Sequence, residues 1–318
     1  MINHRPRHAG STYRNVQEQI NWVVSRIATG TPQARFFPGG RLAPPITVGK
    51  REFQYTAYGT EHLARYDTER ALGAPRSHSN WTTSIVTGKL RSFGHEVMKD
   101  IRELANANPN LMQRSRSAQL AFRIVRNDTE RVIRDTIFDN TAYPAANSVD
   151  LTGAEWGTGS GDVKAAVIAL ADIIIAGTPL QREDLQMFLP RLVKDAALED
   201  PTFLAARTRT NPDQPVLADL RSYLGIGEIW TANPIEDVDG TVTSIYPDTA
   251  LLYYPGEGAD YDAEYGDLDF AHTFRLDQGR APNAYYDEHT TTWYFPFDDD
   301  MNCYITNSSM GGLLENAV

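Results

Sequence analysis

The sequence predicts an α+β chain in which extended segments surround one very long helix and a compact α/β region. Three observations carry this expectation. Residues 111–139 place apolar side chains at helical spacing over about eight turns. Residues 163–176 form a second, almost wholly apolar run, followed by short strand and helix signals in alternation. Two strand-like stretches, REFQYTAYG and NWTTSIVTGKL, flank TEHLARYDTERALGAPRSHS, a highly charged run of about twenty residues with almost no core-forming side chains. So long a loop is foreign to a compact domain, so it is read as a projecting element.

The bulk numbers fit a large folded chain. It has 318 residues, 41% hydrophobic, and a mean hydropathy of −0.42. This allows one large domain or two of ordinary size. The single cysteine, Cys303, excludes an internal disulfide framework. The opening MINHRPRHAG is polar and lacks a basic-then-apolar leader. The longest apolar run, Val163 to Ala176, includes Lys164 and Asp172 and is shorter than the roughly 20 residues of a membrane span. We therefore expect a soluble chain without a membrane partner. The net charge of −11 hides an asymmetry: residues 1–150 carry +8 and residues 151–318 carry −19. Arginine dominates the basic half, and it keeps its charge when packed against carboxylates or phosphates. Either the surface is simply uneven in sign, or basic segments meet acidic surfaces of another copy or nucleic acid.

The elements follow in order. Residues 1–50 read as an arm, with a short amphipathic helix at Thr12–Ile27 and then a Pro- and Gly-rich run of extended chain. The two strands of the projecting hairpin come next, and HEVMKDIRELANANP is expected to begin a helix that stops before Pro109. In the long helix, Ala118, Phe122, Val125, Val132, Ile133 and Ile137 mark the core stripe, and six arginines and four acids are assigned to its other faces. The apolar helix at 163–176 precedes DLQMFLP as a buried strand, RLVKDAAL as a helix stopped near Pro201, and PVLADLRSYLG as a helix ended by Gly225. IGEIWTA, TALLYYPG, FAHTFRLD, TTTWYFPF and MNCYITNS read as strands.

Motifs for catalysis are few. Gly157, Gly159 and Gly161 precede the apolar helix like a phosphate loop, but the spacing is neither Walker-type nor dinucleotide-type. Asp162 would repel phosphate, and Ser160 or Asp162 suits the helix cap. The glycines are read as a pliable joint. Asp237-Val238-Asp239-Gly240-Thr241 is similar to the nucleophile signature of haloacid-dehalogenase phosphatases, in which Asp237 would attack phosphate and Asp239 act as acid/base beside magnesium. Only about 75 residues follow it, too few for the rest of that domain, and a β-turn with Gly240 at its tip is the preferred reading. The histidines at 4, 8, 62, 78, 95, 272 and 289 lack metal-site spacing. The acidic run GEGADYDAEYGDLDF lacks a calcium-loop pattern and reads as a solvated loop or an acidic docking surface. Cys303 is expected to be a buried thiol. No catalytic residue, cofactor or metal is assigned, and the chain is not expected to be an enzyme.

This order of elements resembles the major capsid proteins of tailed double-stranded DNA phages. The similarity is carried by the long helix at 111–139, LTGAEW, the apolar helix at 163–176, GTPLQREDLQMFLPRLVKDAALEDPTF, EIWTANP and the closing ITNSSMGGLLENAV. Leu180 after Pro179 and Gly157 after Trp156 depart from the pattern. The resemblance implies a tailed-phage major capsid fold: an N-terminal arm (1–50), an extended β-hairpin loop leading into the peripheral domain (51–104), a peripheral domain with a spine helix (105–160), an α/β axial domain (161–266) and return strands to the peripheral domain (267–318). It further implies self-assembly as hexamers and pentamers into an icosahedral phage head around double-stranded DNA held non-specifically. The place of action is then the virion, with assembly in the host cytoplasm, a portal, a separate scaffolding protein and a decoration protein as further partners. Arg65, Asp67, Glu69, Arg70 and Arg76 in the projecting loop are the candidate inter-subunit contacts. Some members join subunits by Lys–Asn bonds; Lys50 and Lys89 are the nearest lysines, and no crosslink is expected here. A magnesium-dependent phosphatase using Asp237 and Asp239, or a non-viral encapsulin-type shell, are the alternatives.

Overall fold

A computed structural model describes residues 37–58, 83–106, 110–157, 161–176, 178–207, 215–256, 269–276 and 284–318. In chain order these form α1 (Gly39–Leu42), β1 (Pro45–Thr47), β2 (Glu52–Tyr58), β3 (Thr83–Lys89), β4 (Arg91–Asp100), α2 (Ile101–Asn106), the long helix α3 (Asn110–Ile137), β5 (Ser148–Asp150) and α4 (Val163–Ile175). Then follow β6 (Gln186–Pro190), α5 (Arg191–Glu199), α6 (Pro201–Arg207), α7 (Leu217–Leu224), β7 (Glu228–Ala232), β8 (Ile235–Val238), β9 (Thr241–Ser244) and β10 (Ala250–Tyr253). β11 (Ala271–Arg275), β12 (Tyr285–Asp287), β13 (Thr292–Ile305) and β14 (Gly311–Glu315) close the chain. The helix expected at Thr12–Ile27, the loop between β2 and β3, and residues 257–268 of the acidic run lie outside the described residues.

One five-stranded mixed sheet, in the order β5-β14-β10-β6-β7, divides the α/β region from the long helix. Met187, Leu189, Ile229, Leu252 and Leu314 face a core shared with α4, α5 and α7. Their neighbours Phe188, Trp230, Leu251, Tyr253 and Leu313 face a second core containing Val132, Ile133 and Ile137 of α3. With both faces buried, each strand needs apolar residues at consecutive positions, which is why QMFLP and ALLY do not alternate with polar residues.

The second five-stranded sheet is built on β13. This strand pairs antiparallel with β4 from Thr292 to Met301 and with β11 from Met301 to Ile305. β12 and β1 complete the sheet. α3 lies across β13 and β4, with Ala121 and Val125 packed against Phe297. β2 and β3 pair only with each other.

Local chemistry sets the boundaries. Asp162 caps α4, accepting from the N–H groups of Lys164 and Ala165 at 2.9 and 3.1 Å. Gly225 ends α7 at φ 70°, and its N–H reaches the Arg221 carbonyl. The expected helices at 111–139, 163–176 and 217–224 and the buried strand at 186–190 are present. The helix expected at RLVKDAAL does stop just before Pro201, at Glu199, and Pro201 then starts α6: its missing N–H is harmless at the first helical position, and Asp200 accepts from the next two N–H groups, Thr202 and Phe203, at 2.9 Å each. Two expectations are corrected. HEVMKD belongs to β4, because His95, Glu96, Val97 and Met98 stay paired with β13 and the helix starts only at Ile101. TTTWYFPF and MNCYITNS are one continuous strand, bordered by β4 on one side and by β12 and β11 at its two ends on the other.

Candidate assembly surfaces

The sheet of β4, β13 and β12 has two contrasting faces, because side chains alternate along each strand. Trp293, Phe295, Phe297, Asp299 and Met301 point toward the helix and are buried. The other face carries rows fixed by strand register: Tyr285, Tyr294 and Met98 in one, Pro296 with Glu96 in the next, then Asp298 with Gly94 and Asp300 with Ser92. Tyr285 and Tyr294 stack with ring centroids 5.0 Å apart, and the Tyr285 hydroxyl donates to Glu96 at 3.0 Å. Met98 is 62% exposed beside them. This face is therefore acidic and partly apolar. On the opposite side of the layer, the outward face of α3 shows Arg116, Gln119, Leu120 and Arg123 to solvent and is basic.

The projecting hairpin is rooted by rings. Phe53 and Tyr55 of β2 pack on Phe274 with centroids 4.5 and 5.4 Å apart, and Tyr304 closes the group. The Lys89 N–H donates to the Tyr304 hydroxyl at 2.8 Å, and Arg51 pairs with Asp300 at 3.1 Å. A cleft of about 850 Å³, lined by Ile46, Val48, Phe53, Tyr55 and Phe274 among others, opens beside this root. The strands run in register from Glu52 opposite Lys89 to Tyr58 opposite Thr83. At about 3.4 Å per residue, this places the far pair, Tyr58 and Thr83, roughly 20 Å along the hairpin from Glu52 and Lys89. Arg65, Asp67, Glu69, Arg70 and Arg76 belong to that loop and lie outside the described residues. Lys89 reaches Glu52 at 3.4 Å.

Beneath α3 sits a charged interior that contradicts the expected placement of all its arginines and acids on outer faces. Glu130 is 2% exposed. Arg126 and Arg275 approach Asp299 at 3.9 and 3.5 Å, with all three side chains largely buried. Burial lowers the Arg126 guanidinium to about 10, Arg275 adding repulsion, and burial raises Asp299 against the pull of both arginines. The sequence did hold a signal: Arg126, Glu130, Ile133 and Ile137 share one helix stripe at spacings of four, three and four, so two charges occupy core positions.

The other sequence candidates are accounted for locally. Asp239 and Gly240 have φ values of 52° and 83° between Val238 and Thr241, a two-residue hairpin turn with both central residues left-handed. Asp237 accepts from the Gly240 N–H at 2.8 Å and stabilises that turn. The hairpin is a separate two-stranded sheet, not the first strand of a doubly wound one. Among the described residues no group of three or more His, Cys, Asp and Glu converges as metal ligands. None of their helices is long and apolar enough to cross a membrane. Cys303 is buried as expected. The reading of the glycine run as a pliable joint is replaced at both of its described ends. Gly157 has φ 77° and lies on the backbone of Ala196, and a Cβ at Gly161 would collide with the Ala154 carbonyl oxygen. Gly159 lies outside the described residues. The capping carboxylate of Asp162 already takes the N–H groups a phosphate would need.

No protein-family model and no curated protein matches this sequence. Solved structures match it over nearly its whole length. A phage-related protein from Bordetella bronchiseptica is similar with a TM-score of 0.71 and 19% identity, covering 93% of this chain and 96% of that one. The capsid protein of cyanophage P-SCSP1u gives a TM-score of 0.56 at 11% identity, covering 86% of each chain. The SrpI encapsulin of Synechococcus elongatus gives 0.50 at 10% identity, covering 92% of this chain and 94% of that one. The chain has the tailed-phage major capsid fold, an α+β architecture also found in encapsulin shells.

Proposed function

We propose that this chain is a shell-forming major capsid protein. It assembles with itself, as hexamers and pentamers, into an icosahedral phage head that encloses double-stranded DNA, and it acts in the virion after assembly in the host cytoplasm. The observation that carries this reading is two-way coverage: the chain and the cyanophage capsid protein each match over 86% of their length. No large part of either is left over to define a different protein. The role is structural and not catalytic. The charge difference across the β4–β13 layer supports an orientation in which the α3 face, with Arg116 and Arg123, meets DNA phosphates and the acidic face points away. Arg65, Asp67, Glu69, Arg70 and Arg76 are proposed inter-subunit contacts at the end of the hairpin. Portal, scaffolding and decoration proteins are separate partners.

Electron microscopy and light scattering of the purified chain, alone and with the products of neighbouring genes, test this. A closed particle hundreds of ångströms across is expected. A 35.5 kDa monomer under all these conditions would overturn the proposal. The fold shared with SrpI favours one second reading, an encapsulin-type shell. Nuclease-protected DNA inside particles from infected or induced cells supports the phage head, whereas protein cargo without DNA supports the second reading.

A further inference from the structure

The chain emerges from the arm along the long helix. Phe37 meets Phe122 edge-on, with centroids 6.2 Å apart. The backbone then turns through α1, which seats Leu42 and Ala43 in the core beside Ile133, and continues as β1 alongside β11. At the head of that turn the Gly39 N–H donates to both oxygens of Glu130, at 2.9 and 3.1 Å. The Tyr246 hydroxyl donates to the same carboxylate at 2.8 Å. Three segments far apart in sequence thus meet on one side chain. A Cβ at position 39 would strike the side-chain ends of Ile133 and Glu130 and force them to shift.

We infer that Glu130 is a proton-gated latch, holding the segment 37–48 against α3 when neutral and loosening it when ionised. Gly39 and Tyr246 both donate to Glu130 and so serve either protonation state; what disfavours the anion is its burial, at 2% exposure. An ionised carboxylate has the same two donors, and among the described residues no cation comes within ion-pairing distance of it. The charged neighbours on every side are known. Arg126 on α3 and Arg275 on β11 are shared with Asp299 of β13. Arg134 on α3 donates to the Ile245 carbonyl. Arg41 on α1 turns away to Glu228 and the Trp230 ring. Cys303 and Tyr246 stay protonated, held up by burial.

Burial pushes the Glu130 carboxyl up to about 7, overcoming the downward pull of Tyr246, Gly39, Arg126 and Arg275. Once the segment detaches, the same group meets water and returns toward its ordinary value of 4.5. The attached state therefore binds the proton more tightly, so its extra stability is complete below the lower value and lost as pH rises through the upper one. Detachment should increase by up to tenfold per pH unit between about pH 5 and 7, then level off. The latch acts within one chain, so it stands independently of the shell reading.

Hydrogen exchange of the full-length protein from pH 5 to 8, corrected for intrinsic amide rates, tests it, with the amides of α4 as an internal control. Opening of residues 37–48 should be on the order of thirtyfold greater at pH 7 than at pH 5, with α4 changing far less. Glu130→Gln should flatten that dependence to within about threefold. A flat profile in the unsubstituted protein, or an unchanged profile in Glu130→Gln, would overturn the latch. Carbon-13 NMR titration of glutamate carboxyls in the unsubstituted protein gives an answer even where the variant does not fold. A buried carboxyl titrating near 7 that shifts upward in Tyr246→Phe supports it; all carboxyls titrating near 4.5, or no shift in Tyr246→Phe, refutes it.

Discussion

Phe122 of the long helix meets Phe297 of β13 edge to face, with ring centroids 5.1 Å apart and planes at 87°. This contact couples the helix to the sheet at the centre of their crossing. Phe297 is buried, whereas Phe122 is only partly covered. Phe297→Ala should therefore cost about 3–5 kcal/mol, from lost transfer energy plus an unfilled cavity. Phe122→Ala should cost distinctly less. Denaturant midpoints of the two variants would check the ranking, and equal costs would show that the crossing does not depend on the buried ring.

Asp299 is the only carboxylate within ion-pairing distance of both Arg126 and Arg275 among the described residues. Removing it leaves two guanidinium groups facing each other out of water. Asp299→Ala should destabilise the chain by about 3–5 kcal/mol, as expected when one partner of a buried ion pair is lost. Adding Arg275→Met should recover part of that loss. A double-mutant cycle with no coupling between 299 and 275 would disprove the arrangement.

The Cys303 thiol is enclosed by the second core, and burial pushes it up to about 12. Thiolate is the reactive form, so alkylation of the folded protein at pH 8 should be negligible over minutes. One thiol per chain should react promptly in denaturant. Mass spectrometry after iodoacetamide treatment distinguishes the two states, and rapid native labelling would contradict the packing around β13.

If the hairpin loop docks on a neighbouring subunit, the double charge reversal Arg65→Glu and Arg70→Glu should reduce particle yield at least tenfold while the isolated chain keeps its thermal midpoint. Sedimentation and calorimetry separate these effects. Unchanged yield and particle stability would remove both arginines from the contact.

Much of the fold could be read before any coordinates because single periodicities govern its main elements. The 3.6-residue repeat of α3 and the apolar run of α4 depend on local spacing alone, and Gly225 marks an end that only a left-handed residue makes easily. The strand β4 was misread over HEVMKD because its pattern is compatible with a helix, and the deciding partner lies nearly two hundred residues away in β13. Glu130 was placed outside for a similar reason. A charge on a core stripe is an exception whose explanation, the Gly39 N–H and the Tyr246 hydroxyl, lies on segments 91 and 116 residues away. The two strands that flank residues 59–82 were legible from their β-branched and aromatic content, and they pair as β2 and β3.

The hairpin of β2 and β3 shares no ladder with either five-stranded sheet. It is held at its base by a rosette of rings on Phe274 and Tyr304. Backbone ladders move only in steps of whole residues, whereas stacked rings slide and tilt by fractions of an ångström at little cost. Beyond those rings, only a few polar contacts among the described residues, such as Lys89 with Tyr304 and Arg51 with Asp300, fix the angle of the hairpin. On the shell reading proposed above, such freedom would let a single gene product tile a closed surface whose local curvature differs from site to site, without a second sequence for the tighter corners.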